Sequence, residues 1–361
     1  MPDTDPVDPV DPVAVTAGPA PLRIAVLGSS SIARRRMLPA FTAHPHTEIA
    51  AIASRDPARA RELTDLFGGT PLAGYAEALR PDNGVDAVYV PLPIALHAEW
   101  VERALDAGKH VLAEKPLTDD PAVAAKLFRL AASRGLALME NVFFLHHGQH
   151  AEVERLLADG AIGELRAFSA AFAIPPPPEA DLRYRPELGG GALLDIGYYP
   201  LRAALRLLGP GLEVVGAAAR TAPGRSVETS GSALLYRAAD GVQVQLAYGM
   251  EHFYRSCYEL WGSEGRLRVE PAYTPDSSHA PRLRLESRAG RSEIFLSAED
   301  QVANTVGAFV RAVRAGGADV AAADAAVRQI RLLHEIRARA AAPAGPAAVS
   351  AGRPAARRSP W

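Results

Sequence analysis

The chain has 361 residues, 39 Lys and Arg against 41 Asp and Glu, a formal net charge of −2 and one cysteine, Cys257. That length suits two domains with real cores, and the near-neutral balance gives nucleic acid or an anionic membrane nothing to hold. A lone cysteine forms no intrachain disulfide, no apolar run reaches membrane-spanning length, and the acidic N-terminus lacks a secretory core, so the expected setting is a reducing cytoplasm.

In chain order, residues 1–21 repeat Asp-Pro and Val-Asp-Pro and read as a disordered tail, as do the Ala-, Pro- and Arg-rich residues 341–361. A strand over 22–27 runs into Gly28-Ser29-Ser30-Ser31-Ile32-Ala33, followed by a basic, apolar-periodic helix over 34–42. Strand, small-residue turn and helix form the context of a dinucleotide fingerprint. Gly28 permits the tight turn, and Ala33 permits close helix–strand packing. Ser30 stands where the pattern has its middle glycine, so a pyrophosphate must pass its Cβ, while its hydroxyl offers a hydrogen bond. Ser31 and Ile32 complete the turn, whose N–H groups suit an anion. The second strand, 48–53, ends in Ser54-Arg55, where NAD-selective folds place a carboxylate. Ser54 can donate to a 2′-phosphate and Arg55 can pair with it. The same pair also reads as a loop before a helix capped around Asp56-Pro57. Arg59 adds a cation to this group, whereas Arg34, Arg35 and Arg36 suit a solvated helix face.

Helices over 57–67 and 75–79 follow, then a strand over 87–90 leading into Pro91-Leu92-Pro93, and a helix over 96–107. A strand over 111–113 ends in Glu114-Lys115-Pro116; a helix over 121–134 and a strand over 136–140 complete the series. The alternation predicts an α/β, doubly wound Rossmann domain over 22–140, with a parallel sheet covered on both faces. Ligands bind beyond the carboxyl ends of such strands. Pro91, Leu92, Glu114, Lys115 and Asn141 therefore lie at the mouth of a cleft. Pro116 keeps Lys115 out of any helix, as a fixed cation there or, taken alone, a surface lysine. His97 either faces the cleft or is a surface histidine at a helix start.

After a helix over 151–159 the texture changes to period-2 segments at 165–174, 214–220, 232–236, 242–249, 256–261, 266–269 and 282–286, closed by helices over 300–315 and 321–340. They predict an α+β domain over 141–340 with a large, mostly antiparallel open sheet. One face of this sheet can lie on helices. The other is apolar enough to join copies into a homodimer or homotetramer. Within this domain, Gly189-Gly190-Gly191 lets the backbone approach a ligand. Asp195 and Tyr199 are four apart and share a helix face, which Gly197 and Pro200 distort. The stretch also reads as a turn before a core helix with Tyr199 as a buried aromatic. His146, His147 and His150 are placed at the domain junction; no Cys/His group has zinc-like spacing, and no metal is expected.

In this order, Gly28 to Ala33, Ser54-Arg55, Glu114-Lys115-Pro116 and Asp195-x-Gly-x-Tyr199 resemble the Gfo/Idh/MocA oxidoreductases over about residues 22–337. The resemblance implies that Lys115 and Tyr199 flank the nicotinamide and the substrate carbon, Tyr199 standing where the family usually has His. Met139-Glu140-Asn141, Phe172-Ala173-Ile174-Pro175-Pro176, Asp181-Leu182-Arg183-Tyr184 and Tyr258-Glu259-Leu260-Trp261-Gly262-Ser263 are similar to the NDP-sugar 3-ketoreductases of deoxysugar biosynthesis. That implies NADPH-dependent reduction of the C3 ketone of a nucleotide-linked 3,4-diketo-2,6-dideoxyhexose. Lys115 would stabilise the developing oxyanion and lower the pKa of Tyr199, the general acid. Asp195 would orient a sugar hydroxyl or Lys115 itself. Asn141, Arg183, Tyr184, Arg185 and Arg255 are the further candidates for the nucleotide sugar. Two alternatives stand beside this reading: a dehydrogenase of free sugars or polyols, and a nicotinamide-binding regulator without chemistry.

Overall fold

The computed structural model describes residues 20–317 and 319–341; both expected tails lie outside these residues except for Ala20, Pro21 and Ala341. Six strands, β1 (Leu22–Leu27), β2 (Thr47–Ser54), β3 (Thr70–Ala73), β4 (Ala87–Val90), β5 (His110–Glu114) and β6 (Leu138–Asn141), form a sheet in the order β3-β2-β1-β4-β5-β6. Every pairing within it is parallel. Helices α1 (Leu38–Ala43), α2 (Pro57–Phe67), α3 (Ile94–Asp106) and α4 (Pro121–Ser133) make the crossovers. β4 is buried throughout, as a strand covered on both faces must be. Asp56 and Asp120 each accept backbone N–H bonds at the starts of α2 and α4, with Pro at the first helical position. The expected helix over 34–42 is not uniform: Ala33–Met37 form a wider π-turn before α1 begins. β3 escaped the sequence reading because it is short, exposed, carries Pro71 and lies at the sheet edge.

The rest of the chain builds an eight-stranded sheet with helices α5 (Gly148–Ala158), α6 (Tyr198–Leu208), α7 (Gln301–Arg314) and α8 (Val320–Ala341). Its strands are β7 (Leu165–Ala173), β8 (Leu212–Arg220), β9 (Ser230–Arg237), β10 (Gln243–Gly249), β11 (Arg255–Gly262), β12 (Gly265–Val269), β13 (Arg282–Ser287) and β14 (Gly290–Phe295), in the order β14-β13-β12-β11-β7-β10-β9-β8. Among these pairings only β7 with β10 is parallel. β14 was not anticipated because its residues are mostly polar and exposed.

Alternation sorts the two faces. Phe168, Phe172, Leu246, Tyr248, Tyr258 and Leu260 belong to the core shared with α6. The opposite face mixes small, apolar and polar residues. Ser169, Ala171, Ser232, Leu234, Gln245 and Ala247 line a shallow depression of about 670 Å³ at its centre. Beyond them Arg266 pairs with Glu286 at 2.9 Å, and Arg282 and Arg284 pair with Glu293 at 3.3 and 3.4 Å. The C-terminal helices join the two layers. α7 lays Val302, Val306 and Phe309 into the core of the parallel sheet beside Met37, Phe41 and Tyr89. α8 sends Ile330 into a core of the first sheet and Leu332, Leu333 and Ile336 into that of the second. Among the described residues no helix is long and apolar enough to cross a membrane.

Candidate active site

The order 3-2-1-4-5-6 reverses direction between β1 and β4, which opens a crevice at the carboxyl ends of the strands. Gly28 sits there with φ +115°, and a Cβ on it would meet Leu92 Cδ2 at 3.1 Å, so β1 and the Pro91-Leu92 turn close on each other. Ser30 does not obstruct the turn. Its Oγ accepts the Ala33 N–H at 3.2 Å and its carbonyl accepts the Arg34 N–H at 3.0 Å. The N–H groups of Ser31 and Ile32, ahead of these bonds, are first-turn donors without a partner inside the helical turn. Ala33 is fully buried, as close helix–strand packing requires.

At the end of β2, Ser54 is buried and its Oγ accepts the Asp56 N–H at 3.1 Å, leaving its proton free to donate. Arg55 is exposed and has no ion pair among the described residues. Arg59 is exposed and spans 3.7 Å to Asp56, a contact of little energetic weight. A small-residue turn with open N–H groups and an unpaired guanidinium at the second strand fit a dinucleotide bearing a 2′-phosphate.

Lys115 projects from the turn after β5 to meet the second sheet's layer. Its Nζ donates to Asp195 Oδ1 at 2.6 Å and to the Asp195 carbonyl at 2.8 Å, and it lies 4.8 Å from the ring centre of Tyr199. The Lys115 side chain is only 9% exposed. Burial pushes its pKa down; the Asp195 carboxylate, helped by Tyr199 and Glu114, outweighs that and holds the ammonium above the ordinary lysine range. Asp195 is likewise opposed by burial, but Lys115 and Arg183 hold its carboxyl far below the usual range. Leu193–Gly197 form a second π-turn, so Asp195 is set by a widened turn rather than by regular α-helical spacing, and α6 begins at Tyr198. Gly197 is required there: a Cβ would press on Leu193 and the Tyr248 ring at 3.1 Å.

Tyr199 packs among aromatics, with ring centres of Phe172, Tyr273 and Phe144 at 4.8, 5.8 and 6.0 Å. Among the described residues its hydroxyl makes no hydrogen bond. Burial raises its pKa; Lys115 pulls it down, as expected, but offsets only part of the rise, so the net direction is up. The phenol is therefore protonated at neutral pH, the state an acid needs.

Glu114 accepts the Tyr89 hydroxyl and the Asn141 amide on one oxygen, both at 2.6 Å, and burial raises its pKa. Asn141 spends its amide N–H on that bond, and its Oδ1 is buried without a partner among the described residues. Arg183 donates through Nε to Asp195 and through one terminal nitrogen to both Asp181 oxygens at 3.1 Å, so its charge is shared between two carboxylates. Tyr184 donates to Glu251 at 3.2 Å and lies 3.7 Å beneath the Arg225 guanidinium. Arg185 is exposed and paired with Glu187 at 2.7 Å.

Two site expectations are corrected. His97 neither faces the cleft nor lies on the surface; it is buried with its ring nitrogens 2.9 Å from the Pro116 carbonyl and 2.7 Å from that of Leu92, tying the two turns together. Arg255 leaves the site altogether. On β11 it precedes Ser256 and Tyr258, which face the core, so period-2 alternation turns it to the opposite face, where Nε donates to Cys257 Sγ at 3.2 Å. His146, His147 and His150 are dispersed: His150 meets the Tyr258 hydroxyl at 2.8 Å, His147 caps α5, and burial lowers the His146 pKa to about 4. Among the described residues no group of three or more His, Cys, Asp or Glu is placed to hold a metal ion.

Sequence reasoning assigned no role to Glu140, Asp181, Tyr89 or Tyr198. Glu140 had a usable signal, since it is a carboxylate at the carboxyl end of a buried parallel strand, like Glu114 one strand over. The pairing of Asp195 with Lys115 carries its own expected result. In Asp195→Asn, burial is no longer opposed by the largest of the groups that hold the ammonium, the Lys115 pKa falls, and the ammonium is lost at lower pH. The alkaline limb of the kcat/KM profile should move down by about 1–3 pH units. An unmoved limb would remove Asp195 as the group that keeps Lys115 charged.

With this geometry in view, residues 22–142 match the oxidoreductase family with an NAD-binding Rossmann fold, GFO/IDH/MocA, and residues 150–268 match the GFO/IDH/MocA C-terminal domain. The chain is similar to the dTDP-3,4-didehydro-2,6-dideoxy-alpha-D-glucose 3-reductase of Actinomadura kijaniata, with 50% identity over 317 residues, 88% of this chain and 95% of that one. It is 53% identical to the enzyme of that name from Streptomyces violaceoruber over 296 residues, 82% of this chain and 86% of that one. Among solved structures, the 3-ketoreductase KijD10 from Actinomadura kijaniata, in complex with NADP and TDP-benzene, superposes with a TM-score of 0.86 at 49% identity, covering 88% of this chain and 98% of that one.

Proposed function

The chain belongs to the GFO/IDH/MocA oxidoreductase family, and from that premise we propose that it reduces the C3 ketone of a nucleotide-linked 3,4-diketo-2,6-dideoxyhexose with NADPH. The observation that carries the reading is the meeting of Lys115, from the parallel sheet, with Asp195 and Tyr199, from the second layer. A module that only binds the cofactor has no use for a buried ammonium beside a protonated phenol. Relatives at 50–53% identity with this named activity support the substrate.

Gly28, Ser30, Ser31, Ile32 and Ala33 would hold the pyrophosphate, Ser54 and Arg55 the 2′-phosphate, with Arg59 nearby, and the turns at Pro91-Leu92 and Glu114-Lys115 the nicotinamide end. When bound, NADPH supplies the hydride that reduces the carbonyl carbon. Lys115, itself nearly buried, donates to the carbonyl oxygen as negative charge grows on it. Tyr199 then gives its proton to the alkoxide. Asp195 keeps Lys115 charged and aimed, and Arg183 shares the Asp195 charge. The cofactor unit over 22–140 and the substrate unit over 141–340 fit this division of labour. The centre of the open sheet face, lined mostly by small and apolar side chains, is where a second copy would pair to give a homodimer or homotetramer, in the cytoplasm.

The test is NADPH oxidation with a freshly generated TDP-linked 3,4-diketo sugar, against free sugars and polyols with NADP+. Turnover of the free compounds alone would move the reading to a free-sugar dehydrogenase; cofactor binding with neither reaction would leave a regulator. In the same titrations NADPH should bind more tightly than NADH. Arg55→Ala should weaken NADPH by roughly tenfold to a hundredfold, the worth of one charged hydrogen bond, and leave NADH unchanged. Ser54→Asp should swing preference toward NADH. Equal native affinities would sink the 2′-phosphate assignment.

A further inference from the structure

The two reacting side chains sit on turns from different layers, and neither turn by itself sets the distance between them. Glu140, the third residue of β6, is buried. Its Oε1 accepts the Leu117 N–H at 2.7 Å, and its Oε2 accepts the Tyr198 hydroxyl at 3.0 Å. Leu117 lies two residues beyond Lys115, and Tyr198 immediately precedes Tyr199. The far side of this bridge is anchored as well: the Tyr198 carbonyl accepts from Gln329 Nε2 of α8 at 2.8 Å. On the near side, His97 holds the Pro116 carbonyl.

We propose that Glu140 is a positioning residue of the reaction, a buried clamp that sets the Lys115 turn against the Tyr199 turn across the two layers. The inference rests on the function proposed above for its kinetic readout, but not for its structural one. A carboxylate suits the task because its two oxygens, on one short planar group, accept two donors that come from different directions. Misplacement of reacting groups by about 1 Å, from a change away from the chemistry, can cost on the order of 10²-fold in rate. The clamp would therefore show itself in the chemical step and not in binding.

Tyr198→Phe removes only the hydroxyl that grips Glu140. It should lower kcat by about tenfold and leave KM and NADPH affinity nearly unchanged. The isotope effect with 4-deuterated NADPH should rise, because hydride transfer becomes slower than the other steps. Glu140→Ala should lose about 10²-fold in kcat. Glu140→Gln should recover most of that loss, since its amide oxygen can accept from Leu117 while its NH₂ donates to the tyrosine oxygen. Glu140→Gln as slow as Glu140→Ala would place the effect on charge and overturn the clamp. So would native kcat in Tyr198→Phe, or a loss that follows only the folded fraction. Should Glu140→Ala fail to fold, Tyr198→Phe decides alone. Amide exchange at Leu117 separates this inference from the functional reading, because it needs no substrate. In Tyr198→Phe it should quicken although the Leu117 bond to Glu140 is untouched, and unchanged exchange would show that the two turns are not coupled.

Discussion

Replacing Lys115 with Met is expected to lower kcat by about 10²–10³, or ~3–4 kcal/mol of transition-state stabilisation, the usual cost of losing a donor to a developing oxyanion. NADPH affinity should change far less, because the ammonium reaches across to Asp195 and Tyr199, away from the turns that would hold the phosphates. The substitution is a fair test of chemistry rather than folding. Methionine fills a similar volume, and Asp195 keeps Arg183 as a partner on its second oxygen, so no buried carboxylate is left without a cation. Single-turnover reduction of the nucleotide-linked ketosugar is the measurement. A near-native rate would remove the centre of the proposed mechanism and favour a binding role.

Tyr199→Phe should cost less, around 10²-fold, at the lower end of the roughly 10²–10⁴ that general acid catalysis contributes. The ring stays among Phe172, Phe144 and Tyr273, so packing is kept and only the proton donor goes. Water or a substrate phosphate can replace part of that function. Because burial holds the phenol above its ordinary range, its proton is present across neutral pH, and the native rate should not fall there through loss of that proton. If Lys115 and Tyr199 act as one unit on the same oxygen, Lys115→Met/Tyr199→Phe should be little slower than Lys115→Met alone. Multiplying losses in the double variant would mean that the two groups act in separate steps.

Much of this site was legible because its parts are local. Gly28 to Ala33 follow a buried strand, Ser54-Arg55 and Glu114-Lys115 end strands, and the carboxyl end of a parallel strand faces the crevice whatever the rest of the chain does. Local patterning also determined the element order. Continuous apolar runs marked the covered strands, period-2 runs marked the half-covered ones, and Asp56-Pro57 marked the start of α2. β3 and β14 were lost for the converse reason, since edge strands bury too little to leave a pattern.

The tertiary structure alone decided how each side chain is used. Lys115 and Asp195 are 80 residues apart, and nothing in either neighbourhood encodes their contact. Arg183 was available to a diphosphate in sequence, but in the fold its guanidinium is shared by Asp181 and Asp195. His97 had equal reasons to face the cleft or the solvent, until two inward carbonyls gave its nitrogens buried partners. Arg255 lies on the wrong face by a single position of alternation. α7 and α8, read as the end of the second domain, also fill cores of the first. Periodicity records which residues can be buried together with their neighbours along the chain; the partner each polar group finds inside depends on segments far away in sequence, and only packing brings those together.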